Sequence, residues 1–279
     1  MKVVLGDYSH SRAVKDLPDH EFVEVKPLYG AFARMVRTLE FDVCELALAT
    51  YLQARDNGVP VTLLPVVMIG GTHHRSLTRL PDAPPLTPDD LRSRRVGVRS
   101  YSQTTGLWVR GLLREEYGVN AADVTWVTTE EPHVARYTEP PYVERSAAGT
   151  VVDLLQAGDV AAAVLGPRAV GGQGEGLVPL IEDAEAAGRA WVERHGTVPV
   201  NHVVVVRNAV LEEDPGAVDA LYAALKAATA GAEPPVAAGW SEQLAKALEI
   251  GGRYALEQDL IRTAVDVAEI ERGAARWSD

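Results

Sequence analysis

Three of the seven histidines in the chain stand beside apolar, β-rich runs. His73 and His74 follow the run 59–69, and His202 opens PVNHVVVV. Imidazole exchanges protons near neutral pH, with an unperturbed pKa of ~6.5. Any one of these residues also reads as a capping or hydrogen-bonded structural histidine. Two or three at the strand ends of a single cleft would instead make an acid–base set. Three histidines can bind a metal, but no HxH or HExxH spacing supports that, and no metal or other cofactor is expected. Glu45, in FDVCELALATYL, is flanked by apolar residues at a strand-to-helix turn. A carboxylate there is either a helix N-terminal charge or a buried acid with a raised pKa.

The sharpest local feature is VGVRSYSQTTGLWVRGLL, residues 96–113. A strand runs into a Ser/Gln/Thr turn, and the turn opens a helix. The first helical N–H groups have no intrahelical partner and, with the helix dipole, form an anion site. Ser102, Gln103, Thr104 and Thr105 add donors suited to a carboxylate. Ser100 or Ser102 reads equally well as a plain N-cap. After the first strand, Tyr8, His10 and Arg12 offer a second set of contacts, since an Arg fork grips a carboxylate bidentately. Arg168, in AAAVLGPR, is either surface decoration or another anion contact. No GxGxxG, P-loop, GxSxG or EF-hand pattern occurs, so nucleotide chemistry and serine hydrolysis have no support.

The elements that would hold these residues alternate. Strands are predicted over 2–5, 41–44, 59–69, 95–98, 124–128, 160–165 and 201–206. Helices are predicted over 31–40, 46–57, 104–117, 150–157 and 216–229, with a last one over 241–272 broken near Gly251-Gly252. Residues 7–12 read as a polar loop. Strand–helix–strand order implies parallel sheets with helices on both faces. The proline-rich stretch 80–88 looks like a crossover between two α/β units. Ligands of open α/β sheets sit beyond the carboxyl ends of strands, where the residues above fall.

The chain has 279 residues, enough for two lobes. With 27 Lys+Arg against 39 Asp+Glu, the net charge is −12. No nucleic-acid partner is therefore expected, nor any attraction to an anionic membrane. An anionic guest must be held by local donors against the chain's own field. Cys44 is the only cysteine, which excludes an internal disulfide and fits a reducing compartment. The N-terminal MKVVLGDYSHS lacks the apolar core of a signal peptide, and the run 59–71 is interrupted by Pro60 and Pro65. A cytoplasmic protein is expected.

Several segments resemble the 4,5-dihydroxyphthalate decarboxylase family. GVRSYSQTTGLWVRGLLREEYGV, residues 97–119, resembles its strand, Tyr, polar turn, Thr, Trp, Arg-Gly and Glu-Tyr-Gly-Val run, with Trp108, Arg110 and Gly111 the most specific part. GDYSHSRAV, FDVCELALATYL and HGTVPVNHVVVVRNAVLEEDP are similar to its Tyr-x-x-Thr-Arg loop, its Glu-bearing strand and helix, and its His-bearing return strand. Ser11 stands where the family has Thr. MIGGTHHRSL lacks the family's Arg-x-Phe-Arg-His pattern, and His74 falls on its histidine.

The resemblance implies an α/β fold of the two-lobed, type II periplasmic-binding-protein-like kind with a central cleft. Residues 1–93 plus 201–279 are expected to form one lobe, and 94–200 the other. It implies a cofactor-independent lyase that decarboxylates a hydroxylated aromatic acid. His74 and His202 would be acid and base, with Glu45 orienting or sharing a proton. Tyr8, His10, Arg12, Ser102 to Thr105 and Arg168 would hold a small aromatic or organic carboxylate. A homodimer is allowed. The alternatives are a non-catalytic organic-anion binding protein of the ABC-transporter type, or another lyase or dehydratase on the same scaffold.

Overall fold

A computed structural model describes residues 1–147, 149–166 and 174–278. The chain forms two six-stranded sheets. The first contains β1 (Lys2–Val4), β2 (Glu21–Phe22), β3 (Val43–Ala47), β4 (Val61–Gly70), β11 (Val200–Arg207) and β12 (Ala237–Ala238), in the order β12-β4-β11-β3-β1-β2. The second contains β5 (Leu77–Arg79), β6 (Arg95–Val98), β7 (Thr125–Thr128), β8 (Val143–Arg145), β9 (Ala162–Val164) and β10 (Val178–Pro179), in the order β10-β5-β9-β6-β7-β8. Each sheet with its helices makes one lobe, and β5, inside the 1–93 stretch expected to lie in the first lobe, belongs to the second sheet because it pairs with β9 and β10.

The sheets are mixed rather than parallel. β1 pairs parallel to β2 and β3, but β11 pairs antiparallel to both β3 and β4. β4 carries the chain out towards the second sheet. β11 brings it back from that end and inserts between β3 and β4, so it must run the other way. Strand–helix alternation could not reveal this, because the return comes after more than a hundred residues. Its consequence is functional: the start of β11 lies at the same sheet edge as the carboxyl ends of β1 and β3.

Helix α1 (Ser9–Arg12) occupies the stretch expected to be loop, and α2 (Gly30–Thr38) and α3 (Leu48–Asp56) flank β3. α4 (Thr104–Tyr117) has the expected bounds and ends on Gly118 at φ +68°, the left-handed cap that glycine adopts without strain. A helix over Ala184–His195 was not expected. The last helical stretch does not break at Gly251-Gly252. Helix Glu242–Glu257 runs through both, and the break comes after it, before Val267–Ala274. The glycines serve close packing instead: a Cβ at Gly252 would lie 2.7 Å from Val265, and one at Gly251 3.2 Å from Leu48.

One apolar core joins the lobes, containing Cys44 and Leu46 of β3 together with Val98, Trp108 and Val164. Trp108 packs edge-on against Trp191 and Tyr254, and its indole N–H donates to the Val200 carbonyl at 2.9 Å. Gly111 lets Tyr254 approach α4, since a Cβ there would meet the ring at 1.9 Å. Among the described residues, no helix is long and apolar enough to cross a membrane.

Candidate active site

Glu45 sits inside β3, not at the turn after it. In the antiparallel register Val204 lies opposite Glu45 and His202 opposite Ala47. Side chains alternate along a strand, so Glu45 and His202 emerge on one face, two positions apart. There the His202 Nδ1 approaches Glu45 Oε1 at 2.6 Å. The pairing of β11 with β4 also slips between Val200 and Val204, and a bulge of this kind re-aims the side chains beside it.

Two more donors reach the carboxylate from the segment after β1, which runs parallel beside β3. The Gly6 N–H donates to Oε2 at 2.7 Å, and the Tyr8 hydroxyl donates to Oε1 at 2.8 Å. Gly6 must lack a side chain, because a Cβ would lie 2.4 Å from the Tyr8 ring. Glu45 is fully buried. An isolated carboxylate would be very costly to bury, and charge-assisted bonds of this number offset the loss of water. His10 stacks on the outer face of Tyr8, with ring centroids 5.0 Å apart and planes 7° from parallel.

A cradle of donors adjoins this pair. α3 starts directly after β3, and its Ala49 N–H donates to Thr104 Oγ1, in the first turn of α4, at 3.0 Å. The N-termini of the two helices therefore meet, and their positive dipole ends add. Ser100, Ser102, Thr104 and Thr105 are all buried, with the two serine hydroxyls 3.1 Å apart. Gln103 caps α4 without a side-chain bond to the helix, and its Oε1 is buried without a partner among the described residues. Gly166 lies beside Gln103 and Thr105. A carboxylate placed here would meet hydroxyls and free helix N–H groups.

His133, from the segment between β7 and β8, was not singled out in the sequence, where EEPHVAR carries neither strand nor helix period. Its Nδ1 lies 2.8 Å from Thr50 Oγ1 on α3. Phe32 stands edge-on to both His133 and His202, with centroids 5.5 and 5.3 Å away. Arg37 donates to the carbonyls of Pro132 and His133, both at 2.8 Å, fastening this segment of the second lobe to α2 of the first. Burial, together with repulsion from Arg99, Arg37 and His202, lowers the His133 pKa to about 3.

Other expected contacts lie elsewhere. His74 pairs with Glu116 at 3.0 Å, near the end of α4. Thr104 marks the other end, twelve positions away and about 18 Å along the axis. His74 thus joins a cluster in which Glu116 also pairs with Arg194, while Glu115 takes His195, Arg253 and Tyr254. His73 bonds Asn201 Oδ1 at 2.8 Å, and burial lowers its pKa to about 4. Asn201 neighbours His202, but adjacent residues of a strand face opposite sides. Arg12 points to solvent and pairs with Asp7 at 3.1 Å. Arg168 lies outside the described residues.

Among curated proteins the chain is 30% identical over 250 residues to a 4,5-dihydroxyphthalate decarboxylase of Comamonas testosteroni, spanning 81% of this chain and 73% of that one. The chain belongs to the 4,5-dihydroxyphthalate decarboxylase family. A second member of the family, from Pseudomonas putida, is 29% identical over 184 residues, covering 61% of this chain and 70% of its own length. No family model matches. Among solved structures, the alkanesulfonate-binding protein SsuA of Xanthomonas axonopodis pv. citri, bound to MOPS, superposes with a TM-score of 0.66 at 15% identity, over 97% of this chain and 96% of that one. The family scaffold here is thus the two-lobed periplasmic-binding-protein-like fold.

Proposed function

We propose that the protein decarboxylates a hydroxylated aromatic carboxylic acid of the 4,5-dihydroxyphthalate type by acid–base catalysis between the lobes. The observation that carries this reading is the buried Glu45 carboxylate, 2.6 Å from His202, beside a cradle built for anions. A site that only binds an anion gains nothing from a second, buried negative charge. A site that must move a proton does, because the carboxylate anchors Nδ1 of His202 and leaves Nε2 to face the substrate.

The reaction replaces CO₂ on a ring carbon by a proton. The Ser102–Thr105 turn and the converging helix ends hold carboxylate oxygens. His202, its Nδ1 anchored on Glu45, gives the proton on Nε2 to the carboxyl-bearing ring carbon. A C–H bond forms, and the ring hydroxyl helps to spread the positive charge. The C–C bond then breaks, its electron pair restores the aromatic ring, and CO₂ leaves. His202 regains its proton from water. Tyr8 holds Glu45 in place. One proton-transfer group of this kind contributes ~10²–10⁴-fold.

The family relationship supports the decarboxylase class, and the nearness of a sulfonate-binding fold supports a small organic anion as ligand. The cytoplasmic location and the homodimer belong to the same proposal, to be checked by cell fractionation and analytical ultracentrifugation. The deciding assay is CO₂ release from a panel of hydroxylated aromatic acids. Turnover of 4,5-dihydroxyphthalate or a related hydroxybenzoate, abolished in His202→Gln with binding retained, is the expected result. Tight binding across the panel with no CO₂ from any member favours an anion-binding protein instead.

A further inference from the structure

We propose that His133 is a specificity-determining residue, the acceptor that holds a ring hydroxyl of the substrate. This rests on the reading of the ligand as a hydroxylated aromatic acid. The donors gathered between the lobes suit carboxylates: the hydroxyls of Ser100, Ser102 and Thr105 and the opening amides of α4. A ring hydroxyl needs the opposite, an acceptor. Glu45 is unsuited to that task, since Gly6, Tyr8 and His202 already occupy its oxygens. Gln103 Oε1 lies within the carboxylate cradle itself.

His133 meets the requirement. One nitrogen, Nδ1, is engaged by Thr50, and among the described residues no bond is made to Nε2 at the other end of the ring. When Nδ1–H donates to the threonine oxygen, Nε2 carries a lone pair. Burial keeps the ring neutral, and repulsion from Arg99 at the end of β6, Arg37 of α2 and His202 of β11 adds to the effect. A neutral acceptor takes a hydroxyl hydrogen bond at any physiological pH. Phe32 spans from His133 to His202, so an aromatic ring lodged near one imidazole lies near the other. The acceptor also belongs to the second lobe but is pinned to the first through Arg37 and Thr50, so it is in place only when the lobes are together.

The test compares 4,5-dihydroxyphthalate with phthalate, which has the same carboxylates and no hydroxyls. Calorimetric affinities are measured in the His202→Gln background, so that turnover does not interfere, and CO₂ release is measured with His202 intact. A site that hydrogen-bonds a hydroxyl prefers the hydroxylated ligand by about 10-fold or more. His133→Leu is expected to remove most of that preference by weakening dihydroxyphthalate alone, and His133→Gln, which restores an acceptor, to recover part of it. Thr50→Val, which leaves Nδ1 unanchored, gives a smaller loss in the same direction and serves if His133→Leu does not fold. An unchanged preference in a folded His133→Leu protein, or equal weakening of both ligands, overturns the inference. Absence of CO₂ release with a His133-dependent preference overturns the decarboxylase reading and leaves this one standing.

Discussion

His202 and Tyr8 reach the same carboxylate oxygen of Glu45, from positions 157 and 37 residues away in the chain. One brings an imidazole and the other a phenol hydroxyl that donates to the carboxylate. In the proposed reaction the first transfers the proton and the second holds the carboxylate.

Glu45→Gln is therefore expected to lower kcat for decarboxylation by about 10²-fold with KM changed little. The amide places a donor against the Gly6 N–H or the Tyr8 hydroxyl, so a stability loss of about 1–3 kcal/mol accompanies it. Steady-state CO₂ release and thermal unfolding measure the two effects. A variant with full kcat removes Glu45 from the reaction.

The cradle predicts the converse kinetic signature. Thr105→Val or Ser102→Ala removes one hydroxyl from a buried donor set while leaving the Glu45–His202 pair intact. KM is expected to rise about 3- to 10-fold with kcat nearly constant, as fits the loss of one hydrogen bond made equally in ground and transition states. An unaltered KM for both variants places the carboxylates elsewhere.

His74→Ala separates sequence expectation from structure. His74 is buried against Glu116, so removing it is expected to cost about 1–3 kcal/mol of stability. With the cradle at the other end of α4, kcat should remain within about 2-fold of the parent protein. A large fall in kcat without loss of stability would restore the catalytic role that the family resemblance implies.

His73 sets a pH dependence of stability. Its folded pKa is about 4, below its ordinary 6.5, because burial penalises the charged ring. Above pH 6.5 neither state binds the proton, and stability is at its full value. As pH falls below 6.5 the unfolded chain takes up a proton that the folded chain refuses until about pH 4. Stability is therefore lost across that window, by at most about 3 kcal/mol from this group. Chemical denaturation at stepped pH measures the loss, and His73→Asn should remove this group's share while leaving that of His133, whose folded pKa is about 3.

Much of the scaffold is legible in the sequence because its signals are local. The Thr104–Tyr117 helix follows from apolar spacing and a terminal glycine, and the donor turn before it from its residue types. The same local view extended the last helix through 241–272 with a break at the wrong place. Gly251-Gly252 looks like a stop until Leu48 and Val265, just over two hundred residues before and thirteen after, are seen to need the space.

By itself, then, the sequence pointed to two α/β units, to a net charge of −12 under which any anion must be held by a few local donors, and to His202, Glu45 and the Ser102–Thr105 turn as candidates for a site. Only the tertiary structure decided which imidazoles join them. Strand direction is a property of pairing between distant segments, and β11 running against β3 is what sets His202 on Glu45. The sequence favoured His74, beside an apolar run, over His133, in a segment without period, yet the fold sends the first to the far end of α4 and brings the second beside Phe32 and His202. The physical reason is that a side chain's partners are chosen by packing of whole elements, and hydrophobic periodicity records which face is buried but not what buries it.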